Sequence, residues 1–102
     1  MNKRLNLLGL AQVAGGLISG ESSVIEAVQK GKALHVIAAT DLSERSLKTI
    51  KNKCDFYQVP LSLEFTQAEI SQALGKKRSI CAFTNQGFAK KFNWLCFKWY
   101  FL

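Results

Sequence analysis

Apolar positions along the chain change period repeatedly, and the changes divide it into alternating helices and short strands. Leu5, Leu8 and Ala11, with Leu7 and Ala14 beside them, form a helical stripe that stops at Gly15-Gly16, where glycine supplies a left-handed cap. Leu17-Ile18 is a very short apolar pair that reads as a small strand. From Ser19-Gly20 onward Val24, Ala27 and Val28 recur at helical spacing until Lys30-Gly31. Residues 33–39 are nearly all apolar, the pattern of a strand covered on both faces.

Ser43 opens a third helix, with Leu47, Ile50 and Cys54 on one face and Arg45, Lys48, Lys51 and Lys53 elsewhere, most simply a solvated surface. Pro60 suits the first position of a strand, after which Leu61, Leu63 and Phe65 alternate with Ser62 and Glu64. Thr66 and Glu69 make a capping box, in which hydroxyl and carboxylate satisfy each other's backbone amides, so a helix begins there and runs to Gly75. Ile80 to Phe83 form another apolar strand. Thr84 is expected to cap a last helix carrying Phe88, Phe92, Leu95 and Trp99 on one stripe. One helix followed by four strand-helix units predicts an α/β fold, a three-layer α/β/α sandwich with at least one parallel crossover.

Composition fits this reading. The 102 residues suffice for one domain over 1–102, and 48% hydrophobic against 21% charged residues argues against disorder. The net charge of +7 is unevenly placed. Residues 1–69 hold eight Lys/Arg and all seven acids, whereas residues 70–102 hold six Lys/Arg and no acid. A polyanionic partner, nucleic acid or an acidic membrane surface, would answer that asymmetry. The three cysteines, at 54, 81 and 96, have no metal or redox spacing and read as reduced thiols. No stretch reaches the roughly 18 apolar residues of a spanning helix, and a cytoplasmic protein is the expectation.

Enzyme signatures are thin. His35, the one histidine, sits inside an apolar strand and reads as a packed imidazole. Asp41 follows that strand, where α/β proteins place functional carboxylates, yet capping the next helix is its simpler role. No cofactor or metal is called for. Two places suit binding. The turn at Gly20, Glu21, Ser22 and Ser23 brings a flexible backbone and helix amides toward a phosphate. The loop Lys76, Lys77, Arg78 and Ser79 offers cations directly before a strand.

The sequence also resembles a known family. Leu7-Leu8-Gly9-Leu10-Ala11-Gln12, Ala14-Gly15, Ile18-Ser19-Gly20-Glu21, Gly31-Lys32-Ala33, Ala39-Thr40-Asp41, Ala73-Leu74-Gly75-Lys76 and Gly87-Phe88-Ala89-Lys90-Lys91 together are similar to the YlxQ-type bacterial proteins. These are small relatives of the L-seven-Ae and L-thirty-e ribosomal proteins. The resemblance covers roughly residues 5–92. It implies a four-stranded mixed sheet and a non-enzymatic, ribosome-associated RNA-binding protein. It also implies that structured, kink-turn-like RNA is held at the start of the second helix and at the loop before the last strand. Kink-turn binders carry G-x-N-E-x-x-K at the first place; here Gly20 matches, Ser22 and Ser23 stand for Asn and Glu, and Glu26 stands for Lys. The ending at 93–102 is atypical. Residues 92–102 hold six of the chain's eleven aromatics, and the alternative reading is a protein-interaction module that self-associates or docks a partner through that tail.

Overall fold

The computed structural model describes residues 3–101, and the side chains of residues 3–93. Five helices surround a four-stranded sheet: α1 (Lys3–Val13), β1 (Leu17–Ser19), α2 (Glu21–Gln29), β2 (His35–Ala38), α3 (Glu44–Phe56), β3 (Leu61–Leu63), α4 (Gln67–Leu74), β4 (Ile80–Phe83) and α5 (Gln86–Phe101). The strand order is β1-β4-β2-β3. β4 runs antiparallel to both neighbours, while β2 and β3, joined through α3, are parallel. The sheet is therefore mixed, as the family resemblance implies. No helix among the described residues is long and apolar enough to cross a membrane.

The two central strands, β2 and β4, are buried along their whole length because helices cover both faces. Successive side chains point to opposite sides. Ile37, Cys81 and Phe83 enter one core with Leu8 of α1, Ile70 of α4 and Phe92 of α5. Val36, Ala38, Ile80 and Ala82 enter the other with Val24 and Val28 of α2 and Ile50 of α3. Both cysteines with described side chains lie in these cores; burial pushes the Cys54 thiol up to about 11 and the Cys81 thiol up to about 12, so neither is a nucleophile.

The local stop and start signals act as their chemistry requires. Gly15 adopts φ 79°, and the amides of Gly15 and Gly16 reach the carbonyls of Gln12 and Ala11, closing α1 in a Schellman turn. Thr66 and Glu69 form the expected capping box, and Ser43 Oγ accepts from the Ser46 amide.

Four expectations change. The strand expected over 33–39 begins at His35, because the Ala33 amide turns to the Ala27 carbonyl and helps close α2. Leu63 is exposed and Phe65 falls beyond the strand: β3 is an edge with one neighbour, and the chain leaves it after three residues. Thr84 does not cap α5. Its amide still pairs with the Gly16 carbonyl, and Asn85 Oδ1 accepts from the Phe88 amide instead. Asp41 does not cap α3 either; Oδ1 accepts from the Gln67 amide and so fastens α4. The aromatic tail, beyond Asn93, lies outside the residues whose side chains are described.

His35 is packed, as its strand position suggests. Nε2 lies 2.7 Å from Ser62 Oγ, and the ring meets Phe92 edge-on at 5.3 Å. Burial, with a smaller contribution from the Arg4 charge, lowers its pKa to about 4. The Arg4 guanidinium lies 3.8 Å from the centre of the Phe92 ring and pairs with Glu64.

Candidate nucleic-acid interface

One end of the sheet gathers both places singled out in the sequence. β1 ends at Ser19, β4 begins at Ile80, and the Gly20 amide donates to the Ile80 carbonyl at 2.9 Å. The backbone turns sharply there: Gly20 has φ 100° and ψ 138°, a conformation that side-chain-bearing residues rarely adopt. Glycine also leaves the start of α2 uncapped. Ser43, Thr66 and Asn85 each supply a side-chain oxygen to the first turn of their helix, whereas Gly20 has none to give. Glu21, Ser22 and Ser23 make up that open first turn and are all exposed.

Arg78 links the loop to this turn. Ser71 Oγ donates to the Arg78 carbonyl at 2.9 Å and accepts from the Arg78 amide at 3.0 Å, so α4 fixes the residue's backbone. The side chain then crosses to β1, where Nε donates to Ser19 Oγ at 3.1 Å, and Nη1 donates to the Lys77 carbonyl at 2.7 Å. All its acceptors are neutral, and no carboxylate among the described residues pairs with it. Its full positive charge stands beside the open end of α2, within 3.9 Å of where a Cβ on Gly20 would lie. Lys76 and Lys77 are exposed next to it, and the Ser79 carbonyl is taken by the Ala39 amide. Positive charge, open helix amides and exposed serines at one end of the sheet are the groups an anion site is built from.

Glu26 lies one turn farther along α2. Lys30 donates to it at 2.6 Å and holds its carboxyl below the usual range, chiefly through that hydrogen bond. Sequence reasoning could not find the roles of Ser19 and Ser71, because each meets Arg78 only through the fold. Among the described residues no cluster of three or more His, Cys, Asp or Glu could hold a metal ion.

Comparison with known proteins adds an independent line. Residues 2–93 match the Ribosomal protein L7Ae/L30e/S12e/Gadd45 family. The chain belongs to that family. It is 44% identical over 89 residues to the RNA-binding protein YlxQ of Enterococcus faecium, covering 87% of this chain and 86% of that protein. To the RNA-binding protein YlxQ of Bacillus subtilis (strain 168) it is 37% identical over 86 residues, 83% and 86% of the two chains. A solved structure of a protein with unknown function from Bacillus halodurans superposes with a TM-score of 0.88 at 34% identity, over 93% of this chain and 97% of that one. The Giardia lamblia 15.5kD RNA binding protein shares the L7Ae-type fold at a TM-score of 0.79 and 16% identity, over 96% of each chain.

Proposed function

We propose that this member of the L7Ae family binds structured RNA of the kink-turn kind, as a non-enzymatic, ribosome-associated protein of the cytoplasm. The observation that carries the reading is the Arg78 clasp: a guanidinium with only neutral acceptors, held across the sheet end beside the uncapped amides of Glu21, Ser22 and Ser23. The clasp fixes the guanidinium before RNA arrives, so little side-chain entropy is lost on binding. Lys76 and Lys77 lie where they can neutralise flanking phosphates. The Gly20 turn and the two serine hydroxyls take the sugar-phosphate backbone at the bend. Two relatives named as RNA-binding proteins support the reading, as does the excess of positive charge. An enzyme centred on Asp41 is disfavoured, since that carboxylate is engaged in fastening α4.

Titration of a kink-turn RNA and a straight duplex of the same length against the full chain tests the proposal. The kink-turn should bind more tightly, and Arg78→Ala should weaken it about 10- to 100-fold, the loss expected for a preorganised charged hydrogen bond. Thermal melting should barely change. Equal affinity of Arg78→Ala and wild type for the kink-turn would remove this end of the sheet as the site.

A further inference from the structure

α3 carries a second surface that the sheet end does not use. At 3.6 residues per turn, Arg45, Thr49, Asn52 and Phe56 fall along its outward ridge, with Lys48 on one flank and Lys53 on the other. The two acids of the helix, Glu44 and Asp55, lie roughly a quarter-turn round. No ion pair among the described residues involves Arg45, Lys48 or Lys53. At the far end of the ridge Phe56 is 77% exposed, its ring 4.9 Å from that of Tyr57 in an edge-on pair. Thr49, Asn52, Lys53, Phe56 and Tyr57 line a hollow of about 440 Å³. Tyr57 also borders a second hollow of about 450 Å³ that reaches Lys30. An exposed ring, an amide, a hydroxyl and a surplus of positive charge, three cations against the two acids beside Lys48, match what a nucleobase and its phosphates require.

We propose that this ridge is a second RNA contact, one that takes a single-stranded run. Phe56 stacks an unpaired base, Asn52 meets that base's polar edge, Thr49 Oγ1, which donates to the Arg45 carbonyl at 3.0 Å, is left to accept from it, and Arg45, Lys48 and Lys53 neutralise phosphates. The ridge starts at the same end of the sheet as the Arg78 clasp, because β2 finishes there and α3 follows it, and it extends about 16 Å away. RNA leaving the bend can therefore run down α3. The inference rests on the reading of this chain as an RNA binder, and it uses residues separate from those of the clasp.

The test measures fluorescence anisotropy of a labelled oligoadenylate of roughly eight nucleotides, which cannot fold into a kink-turn, beside a kink-turn hairpin without single-stranded ends. The full chain is compared with Phe56→Ala, Phe56→Tyr and the triple variant Arg45→Gln, Lys48→Gln, Lys53→Gln. Phe56→Ala should weaken oligoadenylate about 10-fold while Phe56→Tyr retains it, because stacking needs a ring and not its edge chemistry. Losing three phosphate contacts should flatten the slope of log affinity against log salt by about 2. The hairpin titration should stay within about twofold for every variant. Failure of the wild type to bind the hairpin, with Phe56-dependent oligoadenylate binding intact, would overturn the clasp and leave the ridge standing. Absence of oligoadenylate binding to the wild type, or equal binding by all variants, overturns the ridge. So does a Phe56-dependent dimer in sedimentation without oligonucleotide binding, which would make the surface an interface between copies.

Discussion

Arg4 and Arg78 are both pinned across the sheet by hydrogen bonds, yet they do opposite things. Arg4 lies over the Phe92 ring and pairs with Glu64, so its charge is consumed inside the protein. Arg78 is held by Ser19, Ser71 and its neighbour's carbonyl, none of which carries charge. Both side chains are held in place, but only the Arg78 charge is left without a carboxylate partner among the described residues. The difference teaches that the partner's charge, rather than the number of hydrogen bonds, separates the structural arginine from the one proposed to bind RNA.

The largest expected effect comes from the structural side. Arg4→Gln removes a ring contact worth about 0.5 to 2 kcal/mol and a partly exposed ion pair worth up to about 1 kcal/mol. Stability should fall by about 1 to 3 kcal/mol, and for a chain of this size each kilocalorie lowers Tm by about 4 to 8 °C. RNA affinity, measured well below Tm, should stay within about twofold. An unchanged Tm with weakened RNA binding would break the comparison, because Arg4 would then be serving a ligand.

Why the sequence shows one arginine and hides the other follows from the distance over which each signal acts. Features closed within a few residues are legible: the Gly15-Gly16 stop, the Ser43 cap, the Thr66-Glu69 box and the apolar runs of β2 and β4. Even here neighbours compete, and Asn85 rather than Thr84 caps α5 because the sheet already claims the Thr84 backbone. The basic loop is legible as charge. Its placement is not, since Arg78 meets Ser19 only when residues 59 positions apart come together. The same holds for Asp41, which fastens a helix 26 residues on, and for Arg4 with Glu64, 60 residues apart.

His35 shares the Arg4 region, and its folded pKa of about 4 lies below the usual 6.5. Between those values the unfolded chain holds a proton that the folded chain refuses, so unfolding is favoured as pH falls. The stabilisation is complete above pH 6.5, declines through the window and is fully lost below about pH 4. A shift of this size corresponds to about 3 kcal/mol at most, and roughly 1 to 2 after relaxation around the ring. The decisive measurement is the difference between wild type and His35→Phe in urea melts at pH 7, 5.5 and 4, which cancels every other group. From pH 7 to pH 4 the wild type should lose about 1 to 2 kcal/mol more than the variant; equal losses would mean that His35 does not titrate against folding.

The smallest effect tests the charge rule on the binding side. Glu26 shares a helix face with Ser22 and Ser23, so an unpaired carboxylate there would repel an approaching phosphate. Lys30 already occupies it, which neutralises the acid and also withholds one cation from RNA. Glu26→Gln should therefore release Lys30 and tighten kink-turn binding about twofold. Glu26→Lys adds a further charge, and a gain of about 2- to 5-fold is expected, kept small by exposure and by screening over roughly 8 Å at physiological salt. The order should be Lys above Gln above wild type, and the spacing should shrink as salt is raised. Binding that is equal for all three would place this face of α2 away from RNA. Weaker binding by the Lys variant would show that the Glu26–Lys30 pair itself steadies the last turn of α2 for binding.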